Sequence, residues 1–158
     1  MLTVVGFILL FVGHGVPLRG GWSDLHRVLA TVLPDWAIAA PVAWVLFGVA
    51  VLGFMFCWWA RLHLGVLWSG AVTAKADHRI VDTGPYALVR HPIYTGLLVA
   101  VVATAALNGT AVNLLGVPLI LIGFWMKARL EERFLRAQLG AEAYDDYARR
   151  VGMLLPGV

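Results

Sequence analysis

A chain of 158 residues is long enough for one domain. At 61% hydrophobic and only 13% charged residues, it cannot cover a water-facing surface with polar groups, since soluble domains carry roughly 25% charged residues. The net charge of +3 points to loops held on one side of a bilayer, not to nucleic acid, because no Lys/Arg tract stands apart from the apolar runs. The lone cysteine, Cys57, lies in an apolar run; it excludes an intrachain disulfide and a cysteine-based zinc site and reads as a small buried hydrophobe.

The first apolar run, Leu2 to Val16, has no basic leader and no small-residue cleavage site, so it is expected as a short transmembrane helix and not as a signal peptide. Pro17 to Asp35 is a mixed connector in which Ser23 or Asp24 caps a short interfacial helix running to Leu33. Trp22 and Trp36 suit the membrane interface. Trp36 to Ala60 carries no charge and ends in Trp58-Trp59 followed by Arg61, an aromatic belt and a basic stop. Gly48 and Gly53 would allow close helix contact there.

Arg61 to Pro92 is the longest polar insert, with Arg61, His63, Lys75, Asp77, His78, Arg79, Asp82, Arg90 and His91. Leu64, Val66, Leu67, Trp68, Ile80, Val81 and Tyr86 are interleaved with these, so the segment is expected to fold against the membrane. Ile93 to Met126 is again uncharged and is broken by Asn108-Gly109-Thr110, a turn that makes a tight helical hairpin. Its helices extend into the polar flanks towards Arg90 and Glu131, with Pro118 a kink point in the second. From Lys127 onward the chain is charged and amphipathic, and Tyr144, Tyr147 and Val151 recur at helical spacing.

The expected fold is therefore all-α: a polytopic transmembrane helical bundle of about four spans, the last two a hairpin, with a cytoplasmic C-terminal helical segment. Basic residues concentrate in the Arg61–Arg90 insert and in the tail, so both termini are assigned to the cytoplasm and the two basic segments to one face. Residues 1–60 form N-terminal transmembrane helices and 61–158 the functional core.

No Gly-rich nucleotide turn is present: Gly13-His14-Gly15 runs into Val16-Pro17-Leu18. P-loop, HExxH and GxSxG motifs are absent too, and no metal site is expected. The informative stretch is Gly84-Pro85-Tyr86-Ala87-Leu88-Val89-Arg90-His91-Pro92-Ile93-Tyr94-Thr95-Gly96. Ionisable groups entering a span are costly and by default suggest function; the competing reading is that Arg90 and His91 anchor a helix end. A second cluster, Glu131-Glu132, follows the hairpin. Glu132 is expected to pair with Arg136 at i+4, while Glu131, one turn from the membrane boundary, faces a polar ligand. Arg90, His91 and Glu131 are the catalytic candidates. Asp145, Asp146, Arg149 and Arg150 read as a solvated face.

GPYALVRHPIYTG, then an apolar hairpin, then EERFLRAQLG and the Tyr144/Tyr147 segment, resembles the isoprenylcysteine carboxyl methyltransferase family and related phospholipid methyltransferases over Leu62 to Pro156. The resemblance implies S-adenosylmethionine as methyl donor, in a pocket built by the last hairpin and the C-terminal segment. It implies cofactor-binding roles for His78, Ile80, Val81, Tyr86, His91, Pro92, Ile93, Tyr94 and Glu131. It puts a basic residue near the substrate one turn before the glutamate, here Lys127 with Arg129 as alternative. The prenylcysteine enzymes typically carry arginine there, so the lysine is a departure. The implied acceptor is lipophilic and enters from the bilayer: an isoprenylcysteine carboxylate or another lipid, amine or thiol. An ionised carboxylate needs no base, whereas an amine or thiol would give its proton to His91 or Glu131. Two other readings are a sterol-reductase-like NADPH enzyme, whose Arg-Asp-Glu and Cys pattern is replaced here by Glu131-Glu132-Arg133-Phe134, and a non-catalytic membrane subunit.

Overall fold

The structure, a computed structural model, describes residues 1, 3–7, 38–65, 80–109 and 111–157. The expected first span falls largely outside these residues, and the Pro17–Asp35 connector and His78 fall wholly outside them. Among the described residues regular structure is helical: α1 (Ala40–Leu64), a 3₁₀ turn (Gly84–Ala87), α2 (Pro92–Leu107), α3 (Ala111–Leu139) and α4 (Ala141–Arg150). Residues 3–7 are also helical.

Helix α1 has 25 residues, about 37 Å of rise, and is long and apolar enough to cross a membrane. It runs one turn past the expected end at Ala60 because Arg61 and His63 lie in its last turn, where cations oppose the negative end of the helix dipole. Trp44, Phe47, Phe54 and Trp58 are exposed along it. A helix apolar on its outward faces suits lipid as solvent.

The expected hairpin is present. Helix α2 begins at Pro92, whose missing N–H is no loss in a first turn, and ends at Asn108-Gly109, where Gly109 takes the left-handed φ of +68° that the turn demands. Helix α3 is longer than expected: its 29 residues pass through Pro118 and continue beyond Glu131 to Leu139. The charged residues after Met126 are good helix formers and give no reason to stop.

The chain divides into two compact units. In the unit formed by Met1–Leu52 and Leu98–Phe124, the core holds Ala100, Ala103, Ala105, Ile120 and Phe124, with Asn113 fully buried among them. The unit formed by Gly53–Leu97 and Trp125–Val158 buries Tyr86, Val89, His91 and Ala128. It also buries Tyr144, Tyr147 and Val151, with Ile80, Leu135, Leu139 and Ala148 packed on them. At ten residues, α4 is too short to be stable alone. Burial at roughly 1.5–3 kcal/mol per large apolar side chain holds it in place, as the spacing of the two tyrosines and Val151 anticipated.

Candidate active site

Every polar residue of the candidate site belongs to the second unit. Its floor is the turn before α2. Gly84 has a φ of +57°, and a Cβ there would stand 2.7 Å from the His63 ring. Glycine thus answers both a backbone and a steric demand. His63 Nε2 lies 3.0 Å from Thr83 Oγ1, and its ring stacks on Tyr86 at 6.4 Å between centroids. Tyr86 is buried, with its hydroxyl towards the Ala60 carbonyl (3.5 Å), and its own carbonyl accepts the Tyr147 hydroxyl at 2.7 Å. Burial pushes the Tyr86 phenol well above its usual range.

A C-terminal strap crosses this turn. The Arg90 amide donates to the Gly152 carbonyl (2.8 Å) and the His91 amide to that of Met153 (3.1 Å). Val89 and Gly152 form a parallel bridge, and Thr95 Oγ1 donates to the Leu154 carbonyl (2.8 Å). The Arg90 guanidinium reaches the same segment, Nη1 donating to the carbonyls of Ala148 (2.8 Å) and Val151 (2.5 Å).

The polar centre lies between this turn and α3. Arg90 Nε donates to Glu132 Oε1 at 2.7 Å, with both side chains at least 86% covered (12% and 14% exposed). The His91 ring, 8% exposed, lies between two neighbouring carboxylates. Its Nδ1 is 3.6 Å from Glu131 Oε2, and its Nε2 is 3.5 Å from Glu132 Oε1. Nε2 is buried and makes no hydrogen bond of normal geometry with the described residues. Tyr94 stands one turn along α2, its ring parallel to His91 (5.5 Å, 7°) and its hydroxyl donating to Glu131 Oε1 at 2.6 Å. Burial alone would raise the Glu132 carboxyl, but His91 and the Arg90 guanidinium beside it outweigh that and hold it below the usual carboxylate range.

Of the expected site residues, Arg90, His91, Tyr94 and Glu131 come together. Pro92 is buried behind them, Ile93 and Val81 are half-buried, and Ile80 packs on the tyrosine cluster. Lys127 and Arg129 part ways: Lys127 Nζ lies 5.4 Å from the Tyr94 ring centroid, whereas the Arg129 guanidinium lies over Trp125 at 5.5 Å. The expected Glu132–Arg136 helix pair is a correction. Glu132 turns inward to Arg90, and Arg136 pairs with Asp145 at 2.6 Å. An exposed i,i+4 pair contributes only about 0.3–0.5 kcal/mol, far less than a half-buried charge-assisted bond to guanidinium. Asp146, Arg149 and Arg150 do form an exposed, mutually paired face. His63 escaped attention as a site residue because only the folded turn brings it to Thr83 and Tyr86.

The second unit thus holds a half-buried Arg–Glu–His–Glu–Tyr constellation with a C-terminal strap behind it, in a helical chain. Residues 44–137 match the isoprenylcysteine carboxyl methyltransferase family, and the chain belongs to that family. It is 33% identical over 135 residues to methanethiol S-methyltransferase 2 of Bradyrhizobium diazoefficiens, covering 78% of this chain and 50% of that one. It is also 33% identical over 100 residues to the protein-S-isoprenylcysteine O-methyltransferase of Schizosaccharomyces pombe, covering 61% and 42%. The chain thus spans about half the length of the curated relatives it matches. A solved structure of a eukaryotic intramembrane Ras methyltransferase superposes with a TM-score of 0.63 at 21% identity, over 99% of this chain and 62% of that one. This likeness establishes a shared helical fold.

Proposed function

We propose that the chain is an integral membrane methyltransferase that uses S-adenosylmethionine and methylates a lipophilic acceptor drawn from the bilayer. The observation that carries this reading is the Tyr94–Glu131–His91 group at the mouth of the apolar hairpin. A carboxylate, an imidazole and an aromatic face are what a zwitterionic, cationic nucleoside ligand requires. When bound, the cofactor supplies a methyl group already activated on a sulfonium. The protein's part is then to align the acceptor and exclude water.

In this reading Glu131 and His91 hold polar groups of the donor, and Tyr94 presents its ring while orienting Glu131. Tyr86, Pro92, Ile93, Ile80, Val81 and His78 complete the donor pocket. Lys127, beside Tyr94, faces the acceptor, a role for which Arg129, drawn to Trp125, is less well placed. Arg90, a catalytic candidate by sequence, is assigned in this reading to supporting the site through Glu132 and not to touching donor or acceptor. A carboxylate acceptor would need no base; a thiol or amine would lose its proton to Glu131, the more exposed of the two candidates (22% against 8% for His91). The named relatives act on methanethiol or isoprenylcysteine, and both acceptor classes suit an apolar approach. About four spans, both termini on the cytoplasmic side, a helical N-terminal part within 1–60 and a catalytic core over 61–158 complete the proposal.

Purified protein should bind isotopically labelled S-adenosylmethionine and fail to bind NADPH. His91→Ala, Tyr94→Phe and Glu131→Gln should each weaken that binding. Mass spectrometry of a lipid extract incubated with labelled donor should reveal the acceptor. Wild-type protein that binds no donor, with the three variants indistinguishable from it, refutes the reading.

A further inference from the structure

We infer that Arg90 and Glu132 are positioning residues: the Arg90 fork clips the C-terminal strap to the turn that carries His91 and, through Glu132, holds the His91 ring. The inference rests on the methyl-transfer reading above and names how its site is kept in register.

Arg90 stands next to His91 in the chain, yet its Nε and Nη1 are engaged elsewhere than at Tyr94 and Glu131. Nε is spent on Glu132, and Nη1 on two carbonyls at the end of α4. Those carbonyls belong to the last turn of α4 and its cap, where a helix leaves its acceptors unsatisfied. The same segment then accepts the amides of Arg90 and His91 and the Thr95 hydroxyl. The backbone of His91 is therefore held by the strap, and the strap by the Arg90 side chain.

Glu132 gives the fork its second function. Its Oε1 receives Arg90 Nε and lies 3.5 Å from the buried His91 Nε2. Its carboxyl is held charged by that company. A buried ring nitrogen beside a fixed carboxylate has its rotation restricted, and the opposite nitrogen then faces Glu131. A planar fork with donors on separate nitrogens in fixed directions can serve a carboxylate and carbonyls at once; a lysine, whose three donors sit on one nitrogen, does not span the same acceptors.

The test is Arg90→Lys with Glu132→Gln as the second variant, each in full-length detergent-purified protein. Half-saturation by S-adenosylmethionine should rise about 10- to 100-fold, the range of one or two lost charge-assisted bonds. The turnover at saturating donor should stay within about threefold. Hydrogen exchange at the Arg90 and His91 amides should accelerate in Arg90→Lys, which loosens the strap, and stay near wild type in Glu132→Gln, which does not. A fall in turnover with half-saturation and exchange unchanged would make Arg90 a catalytic residue and overturn the inference. So would wild-type behaviour of both variants. If wild-type protein neither binds donor nor transfers methyl, the methyl-transfer reading fails. The exchange measurement still decides the clip: unchanged amides in Arg90→Lys refute it. Where wild-type protein binds donor but Arg90→Lys does not fold, Glu132→Gln decides, and wild-type half-saturation there overturns the inference.

Discussion

Replacing Gly96 by alanine should damage the site from a distance. Gly96 is buried in α2 where it crosses α1. A Cβ there would stand 2.5 Å from the Gly53 carbonyl oxygen, 2.8 Å from the Cys57 amide nitrogen and 3.1 Å from Cys57 Cβ. Ordinary contacts begin near 3.5 Å, so the two helices must part locally by about 1 Å. Because the nearest atoms are backbone, no rotamer change relieves the clash. Overpacking costs about 1–3 kcal/mol, and alanine returns about 1 kcal/mol of helix propensity; a net loss of up to about 2 kcal/mol follows. The same displacement, two residues from Tyr94, would carry its 2.6 Å bond to Glu131 out of hydrogen-bonding range. Gly96→Ala should therefore melt earlier in detergent and bind S-adenosylmethionine at least about tenfold more weakly. Adding Cys57→Gly should not restore it. Gly48→Ala, at a position where a Cβ meets nothing within 4 Å, should melt at or above the wild-type temperature. Wild-type melting and donor affinity in Gly96→Ala would refute the reasoning.

Other outcomes follow from the same geometry. Tyr94→Phe removes the donor to Glu131 and should weaken donor binding about 10- to 100-fold with little change in melting temperature, read by equilibrium binding and thermal denaturation. Tyr147→Phe leaves the Tyr86 carbonyl without its 2.7 Å partner and should cost about 1–3 kcal/mol in denaturant unfolding. Tyr147 also has its phenol pushed up to about 12, chiefly by burial. A raised folded value stabilises below the ordinary range near 10 and is lost as pH climbs towards 12, so Tyr147→Phe should flatten the alkaline limb of the stability profile. Glu132 runs the other way. Its depressed carboxyl stabilises above the usual carboxylate range, and that stability is lost as pH falls through the lowered value. Glu132→Gln should remove this acid-side dependence, measured by melting temperature against pH.

The architecture was legible where one physical cue dominated. An uncharged run broken by Asn108-Gly109 makes a hairpin, because lipid selects helices and the turn residues admit few alternatives. Tyr144, Tyr147 and Val151 fell on one face of a short helix because only that face can be buried. The end of α3 was less legible: the charge onset at Lys127 marks the edge of the apolar run, and a helix does not need to stop there. The strap left no trace in its own sequence, since its side of these bonds is backbone carbonyl, which any residue supplies. The Arg90–Glu132 pair, 42 positions apart, was hidden behind Arg136, a partner four residues away that sequence spacing favours.

The paired glutamates gain their meaning from the histidine placed against them. Adjacent residues on a helix diverge by about 100°, so Glu131 and Glu132 approach a common neighbour from different directions. They can face the two nitrogens of a ring set between them, as His91 is. The two carboxylates are then unequal. Glu132 is matched by the Arg90 guanidinium and 14% exposed, whereas Glu131 accepts the Tyr94 hydroxyl, faces His91 Nδ1 at 3.6 Å and is 22% exposed. Of the two, Glu131 is the more exposed and sits beside the Tyr94 ring, which Lys127 Nζ also approaches. In the reading proposed above, a cationic donor is placed on the Glu131 side of His91, while the Glu132 side, already matched by Arg90, serves the clip.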